Sequence, residues 1–174
     1  MGKIMIIDTN IMCVWLKVPG KTNAGTGNMW NYENVSAHIE EEIRKGTKLC
    51  LPMTSVIETG NHIAHATGNK APSADELKNM IIKSAKGNDP WVVFEYQNWL
   101  WEADKLTELA TTWNEEVKQK EHALGDAIIV EIAKHYSSLN FDVEIFTGDN
   151  LLKDYERKIV GQEKKKELRR NRGK

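Results

Sequence analysis

Residues 1–10, MGKIMIIDTN, decide the fold. The run Ile4-Met5-Ile6-Ile7 has no polar face, the mark of a strand buried on both sides in a parallel sheet, and it stops abruptly on Asp8-Thr9-Asn10. In open α/β sheets ligands bind beyond the carboxyl ends of the strands, so chain order alone puts Asp8 at the expected active edge. The functional question is which other acids reach that edge.

Three further acids have independent reasons to do so. Lys48 to Leu51 reads as a second strand closed by Pro52, followed by a helix, TSVIETGNHIAHA, with Thr54 as its expected cap. On a helical wheel Val56, Ile57, Ile63 and Ala64 share one side with Gly60 between them, and Glu58, Asn61, His62 and His65 share the other. That polar side is either plainly solvated or, at Glu58 in the first turn after a buried strand, turned to the crevice. Zinc on Glu58, His62 and His65 is disfavoured: the order is not H-E-x-x-H and no further ligand is near in sequence. Asp126 opens the helix DAIIVEIAKHY and shares a side with Ile129, Val130 and Ala133, a costly setting unless something meets the carboxylate. A helix N-cap is its competing role. The last strand, Val143 to Phe146, runs into Thr147-Gly148-Asp149-Asn150, where Asp149 either joins the crevice or caps a short helix carrying Leu151, Leu152 and Tyr155.

Between these points the pattern alternates. Residues 11–17 form a short helix burying Ile11, Val14 and Trp15, ended by Pro19-Gly20. The loop PGKTNAGTGN lacks the GxxxxGK[ST] order of a phosphate loop and is either a connector or a substrate-side loop. Asn28 is the expected cap of a helix to Arg44 with Trp30, Val35, Ile39 and Ile43 inward, His38 and Glu40 to Glu42 exposed, and Gly46 as its stop. Strand, helix, strand makes parallel pairing the default. Ser73-x-x-Glu76 reads as a capping box opening a helix to Lys86, Trp91 to Phe94 as a short strand, and Gln97 to Lys118 as one long helix. Its Trp99 and Trp113 recur at helical spacing, as core or partner-interface residues do; Glu131 and Asp154 read as surface.

The 174 residues suit one domain, read as 1–160 with a basic tail over 161–174. No apolar run approaches the roughly 20 residues a membrane span needs, and the start lacks a signal peptide, so a cytoplasmic protein is expected, with Cys13 and Cys50 reduced and interior. The net charge of −1 divides unevenly: residues 164–174 carry seven Lys or Arg against one Glu, leaving +6 there and −7 in the body. Such a tail either holds a polyanion, together with Lys153, or is a solvated terminus.

Four carboxylates in one crevice repel unless divalent cations sit among them, and oxygen-only ligands select Mg²⁺ or Mn²⁺. Metal-assisted phosphodiester hydrolysis is the chemistry that follows. In this order IIDTN, SVIETGNHI, GDAIIVEIA and IFTGD resemble the four acidic motifs of the PIN domain family. The resemblance implies a Rossmann-like three-layer α/β/α sandwich around a parallel sheet, and a Mg²⁺- or Mn²⁺-dependent endoribonuclease. Asp8, Glu58, Asp126 and Asp149 would be the metal-binding acids. Thr9 and Asn10 would hold the first acid's loop and Thr147 would assist the last. Many small bacterial members are homodimeric toxins neutralised by an antitoxin, but residues 15–50 and the Trp-bearing helix before Asp126 are longer than in compact toxins. The alternative is a catalytically weak PIN-like module that binds a protein partner. A receiver domain is disfavoured, because IIDTN has no adjacent acidic pair and IFTGD no lysine.

Overall fold

The structure, a computed structural model, describes residues 2–120 and 123–172, and the side chains of Asn28 and of the basic tail from 162 onward lie outside the described set. At its centre β1 (Lys3–Ile7) lies parallel to both neighbours, β4 (Lys48–Cys50) on one side and β5 (Asp142–Phe146) on the other. Ile6 pairs with Cys50 across one ladder and with Ile145 across the other. Because β1 is central, its side chains alternate between two cores. Met5 and Ile7 join Leu49 and Phe146 beneath α1 (Thr9–Trp15), α2 (Tyr32–Arg44), α3 (Met53–His65) and α4 (Ala71–Ala85). Ile4 and Ile6 join Cys50, Val143 and Ile145 beneath α5 (Ala103–Val117), α6 (Leu124–Ser138) and α7 (Asn150–Arg172). Helices thus cover both faces of a parallel sheet, which explains why the β1 run has no polar side. Cys13 and Cys50 are buried free thiols. No helix among the described residues is long and apolar enough to cross a membrane.

Several local expectations are overturned by tertiary contacts. Asn31 caps α2, three residues beyond the expected position, its Oδ1 accepting from the Asn34 amide at 2.9 Å. Gly25 and Gly27 take φ of 80° and 70°, which no helix tolerates, and residues 23–31 form a ribbon of β2 (Asn23–Ala24) and β3 (Trp30–Asn31). His38 and Glu42 are not surface residues. The His38 ring lies 4.7 Å from that of Phe146 and its Nε2 2.8 Å from Glu144 Oε1; Glu42 is buried and bonded by Lys3, Lys45 and Thr47.

The buried face of α3 is Ser55, Thr59 and Ile63, leaving Ile57 57% exposed and Ala64 at the surface. Small side chains turned inward let α3 pack against α1, and that packing overrides the apolar wheel. Neither Thr54 nor Ser73 caps a helix: α3 starts at Met53, and α4 starts two residues before Ser73, whose Oγ donates to the Lys17 carbonyl at 3.2 Å. Trp91 to Phe94 makes only a single bridge, Trp91 with Leu49. The stretch 97–118 breaks at extended Glu102, with a 3-10 segment (Phe94–Trp101) before it and α5 after. Glu131 is half-buried and paired with Lys105 and Lys134 rather than free at the surface. The helix after Asp149 is long, and α7 passes through residue 160 without interruption.

Candidate acidic site

The chain leaves β1 into α1 on one face of the sheet and leaves β5 into α7 on the other. Adjacent strands whose connections diverge in this way open a crevice at their carboxyl ends. Asp8 sits in it as the N-cap of α1, 5% exposed, its amide donating to the Phe146 carbonyl at 3.1 Å. Its Oδ1 accepts from the Thr9 amide at 2.6 Å. Its Oδ2 accepts from Asn10 Nδ2 and Thr147 Oγ1, each at 2.6 Å.

The neighbouring polar side chains tie the other acids to this one. Thr9 Oγ1 donates to Glu58 Oε2 at 2.7 Å, joining α1 to α3. Asn10 Oδ1 accepts from the Gly148 amide at 3.0 Å, and Thr147 Oγ1 accepts from the Asp149 amide at 2.9 Å. Asp149 does cap α7, accepting from the Leu151 and Leu152 amides at 2.7 and 3.0 Å, and both bonds fall on Oδ1. Asp126 is not an N-cap. That position belongs to Ala123, and Asp126 stands in the first turn of α6 and takes a hydrogen bond from the Ala123 amide, as the acid of a capping box does.

Two glycines, not singled out from sequence, make the approach possible. A Cβ on Gly125 would lie 2.6 Å from Glu58 Oε1, so the bare backbone at the start of α6 admits that carboxylate. A Cβ on Gly148 would lie 2.3 Å from the Gly25 nitrogen, so the ribbon of residues 23–31 rests directly on the loop that carries Asp149. The loop is therefore not a remote connector. The one signal in the sequence was a glycine immediately before each of the last two acids.

Electrostatics link the four acids. Burial pushes the Asp8 carboxyl up to about 6; bonds from Thr147 and Thr9 pull it down, and the charges of Asp126 and Glu58 raise it further. Asp126 is also pushed up to about 6, first by burial and then by Asp149 and Glu58, against the Ala123 amide. None of the ion pairs between described residues involves Asp8, Glu58, Asp126 or Asp149. Among the described residues no three His, Cys, Asp or Glu stand together as a ready-made metal-binding group. His65 Nδ1 meets the Asn61 carbonyl oxygen at 2.8 Å, and His62 is exposed.

The donor set suits a hard divalent cation, being oxygen only, with one buried carboxylate that lacks a cationic partner among the described residues. Comparison of the chain with protein-family models, with curated proteins and with solved structures returns no match, so a functional reading stands on the geometry of these four acids.

Proposed function

We propose that the chain is a PIN-like endoribonuclease dependent on Mg²⁺ or Mn²⁺. The observation that carries this reading is the linkage of Asp8 to Glu58 through Thr9 and to the Asp149 amide through Thr147, with Asp126 following the Gly125 that Glu58 approaches and no ion pair from a described residue answering the four. A divalent ion held by these acids supplies charge neutralisation and Lewis-acid activation of water for attack on phosphorus. Asp8 is the fixed member, immobilised by Thr9, Asn10 and Thr147. Thr9 orients Glu58 on one wall, and Asp126 faces them from the first turn of α6. Thr147 bonds both Asp8 and the Asp149 amide, which ties the two strand-end acids together.

A cytoplasmic location, a homodimer and an inhibitory antitoxin partner belong to the same reading, carried by the family resemblance. Purified protein with Mn²⁺ is expected to cut single-stranded RNA, and Asp8→Asn and Asp126→Asn to abolish the cut. Cleavage at full rate by both variants overturns the assignment. The second reading, a PIN-like module that binds a protein partner, is favoured by Tyr96 and Trp101, 64% and 44% exposed on one 3-10 segment. A calorimetric titration with Mn²⁺ separates the two: no heat, beside a stable protein complex, favours the module.

A further inference from the structure

A nuclease needs a place to hold the substrate's backbone beside its acids, and Lys153, the cation nearest them in sequence, is already paired with Glu156 at 3.0 Å. Another set of cations is not engaged in this way. α1 ends in a Schellman turn, the Val18 amide donating to the Cys13 carbonyl at 2.9 Å and the Lys17 amide to the Val14 carbonyl at 3.0 Å. The residue after the cap is forced into the left-handed region, and here it is Lys17 at φ 53°. Glycine takes that conformation without strain and is the usual occupant; a lysine there costs about 1 kcal/mol. Strain at an exposed side chain that packs no core points to what the side chain does.

What Lys17 does is visible. Its Nζ stands 3.7 Å over the Tyr32 ring, at the rim of a cleft of about 330 Å³. The turn Val18-Pro19-Gly20-Lys21, closed by the Lys21 amide on the Val18 carbonyl at 2.9 Å with Gly20 at φ 84°, lines the same cleft. Lys21 is exposed and belongs to none of the ion pairs between described residues. Thr22 and Asn31 also line it, and Glu33 is the one acid in the lining. One ribbon links the cleft to the loop of Asp149: Asn31, in the cleft lining, pairs with Asn23, and Gly25 two residues further on rests on Gly148.

We propose that this cleft binds the phosphodiester backbone of single-stranded RNA, with Lys21 and Lys17, the latter seated over the Tyr32 ring, on phosphate. The proposal rests on the nuclease reading, since it assigns that activity's substrate track. Its test reads binding, with no need for cleavage. A fluorescent 12-mer of oligouridylate is titrated by anisotropy in EDTA, at several salt concentrations, against wild type, Lys17→Gln/Lys21→Gln, Lys17→Arg/Lys21→Arg and, as a control, Lys78→Gln/Lys118→Gln.

The glutamine pair is expected to weaken binding and to reduce the salt slope by about 1.4, roughly 0.7 for each phosphate of a single strand that a lysine no longer neutralises. The arginine pair should restore both, and the control pair should leave both unchanged. Equal weakening by the control pair, or an unchanged slope in the glutamine pair, overturns the cleft. If cleavage with Mn²⁺ persists in that second case, the nuclease reading survives without it. Lysine-dependent binding without any cleavage keeps the cleft and removes the nuclease. Binding relieved by millimolar inorganic phosphate as readily as by unlabelled RNA would mark a free-phosphate site and overturn the backbone assignment.

Discussion

Two groups of carboxylates in this molecule, equally dependent on burial, are treated in opposite ways. Beneath α2, Glu42 and Glu144 share Lys3 at 2.7 Å each, with Lys45 and His38 completing the network. There burial raises the Glu42 carboxyl, but the bonds from Lys3, Thr47 and Lys45 outweigh it and hold it down at about 2. Glu144 is likewise held below the ordinary carboxylate range, burial being outweighed by Lys3 and His38. At the crevice Asp8 is met by hydroxyls and amides and Asp126 by the Ala123 amide, with Glu58 acting on both and Asp149 on Asp126, and burial carries both up to about 6. The chain plainly has cations to spare, since even Glu131 is given Lys105 and Lys134. An acid group left without a cationic partner among the described residues is what the proposed divalent-cation site requires.

The largest expected effect breaks the crevice chemically. Asp8→Asn or Asp126→Asn should lower Mn²⁺-dependent RNA cleavage roughly a thousand-fold, as expected when a charge worth several kcal/mol in the transition state is removed. Glu42→Gln, in the neutralised group, should leave the rate per folded molecule unchanged. A gel assay with all three variants, corrected for folded fraction, decides whether the two groups differ in kind.

Binding should separate them next. At a hundredfold excess of Mn²⁺ over its dissociation constant the wild type gains about 2.7 kcal/mol, a rise in Tm of roughly 5–10 °C for a chain of this size. Thermal melts with and without Mn²⁺ should show that rise in wild type and in Glu42→Gln, and none in Asp8→Asn. A rise that survives Asp8→Asn would move the metal elsewhere.

Stability without metal should divide the other way. Glu42→Gln removes charge-assisted bonds from Lys3 and Lys45 and should cost on the order of 2 kcal/mol, a fall in Tm of roughly 4–8 °C. Asp8→Asn keeps a capping side chain at the start of α1 and relieves repulsion, so in EDTA near neutral pH it should melt no lower than wild type.

The smallest effect is in pH. Between about 4 and 6 the folded, metal-free protein holds protons on Asp8 and Asp126 that the unfolded chain has released. Their contribution to stability is therefore present at the acid end of this window and is lost as pH rises through about 6. Glu42 and Glu144 have the reverse sign: depressed in the folded state, they contribute above the ordinary carboxylate range, and Glu42 loses its share as pH falls toward about 2. Melting curves in EDTA from pH 4 to 8 should show the decline in wild type and a shallower one in Asp8→Asn.

Much of this arrangement is legible in the order of residues, and the exceptions share one cause. The apolar Ile4–Ile7 run, the acids after β1 and β5 and the parallel pairing are consequences of pattern within a few residues, and the structure contains each of those elements. The face of α3 departs from its helical wheel because Ser55 and Thr59, polar by composition, are buried against α1, while Ile57 is left outside. His38 and Glu42 depart from the expected surface positions because their partners, Glu144 and Lys3, stand 106 and 39 positions away. A helical wheel contains no information about such a partner.

The sequence by itself determined that an acid would close the central strand, since the end of an apolar run is written in adjacent residues. Only the tertiary structure decided which groups would surround it. Thr147 reaches Asp8 across 139 positions and Thr9 reaches Glu58 across 49, and both approaches depend on how helices seat on the sheet. The glycines at 125 and 148 matter for the same reason: a missing side chain acquires meaning only when another part of the chain occupies the space it leaves.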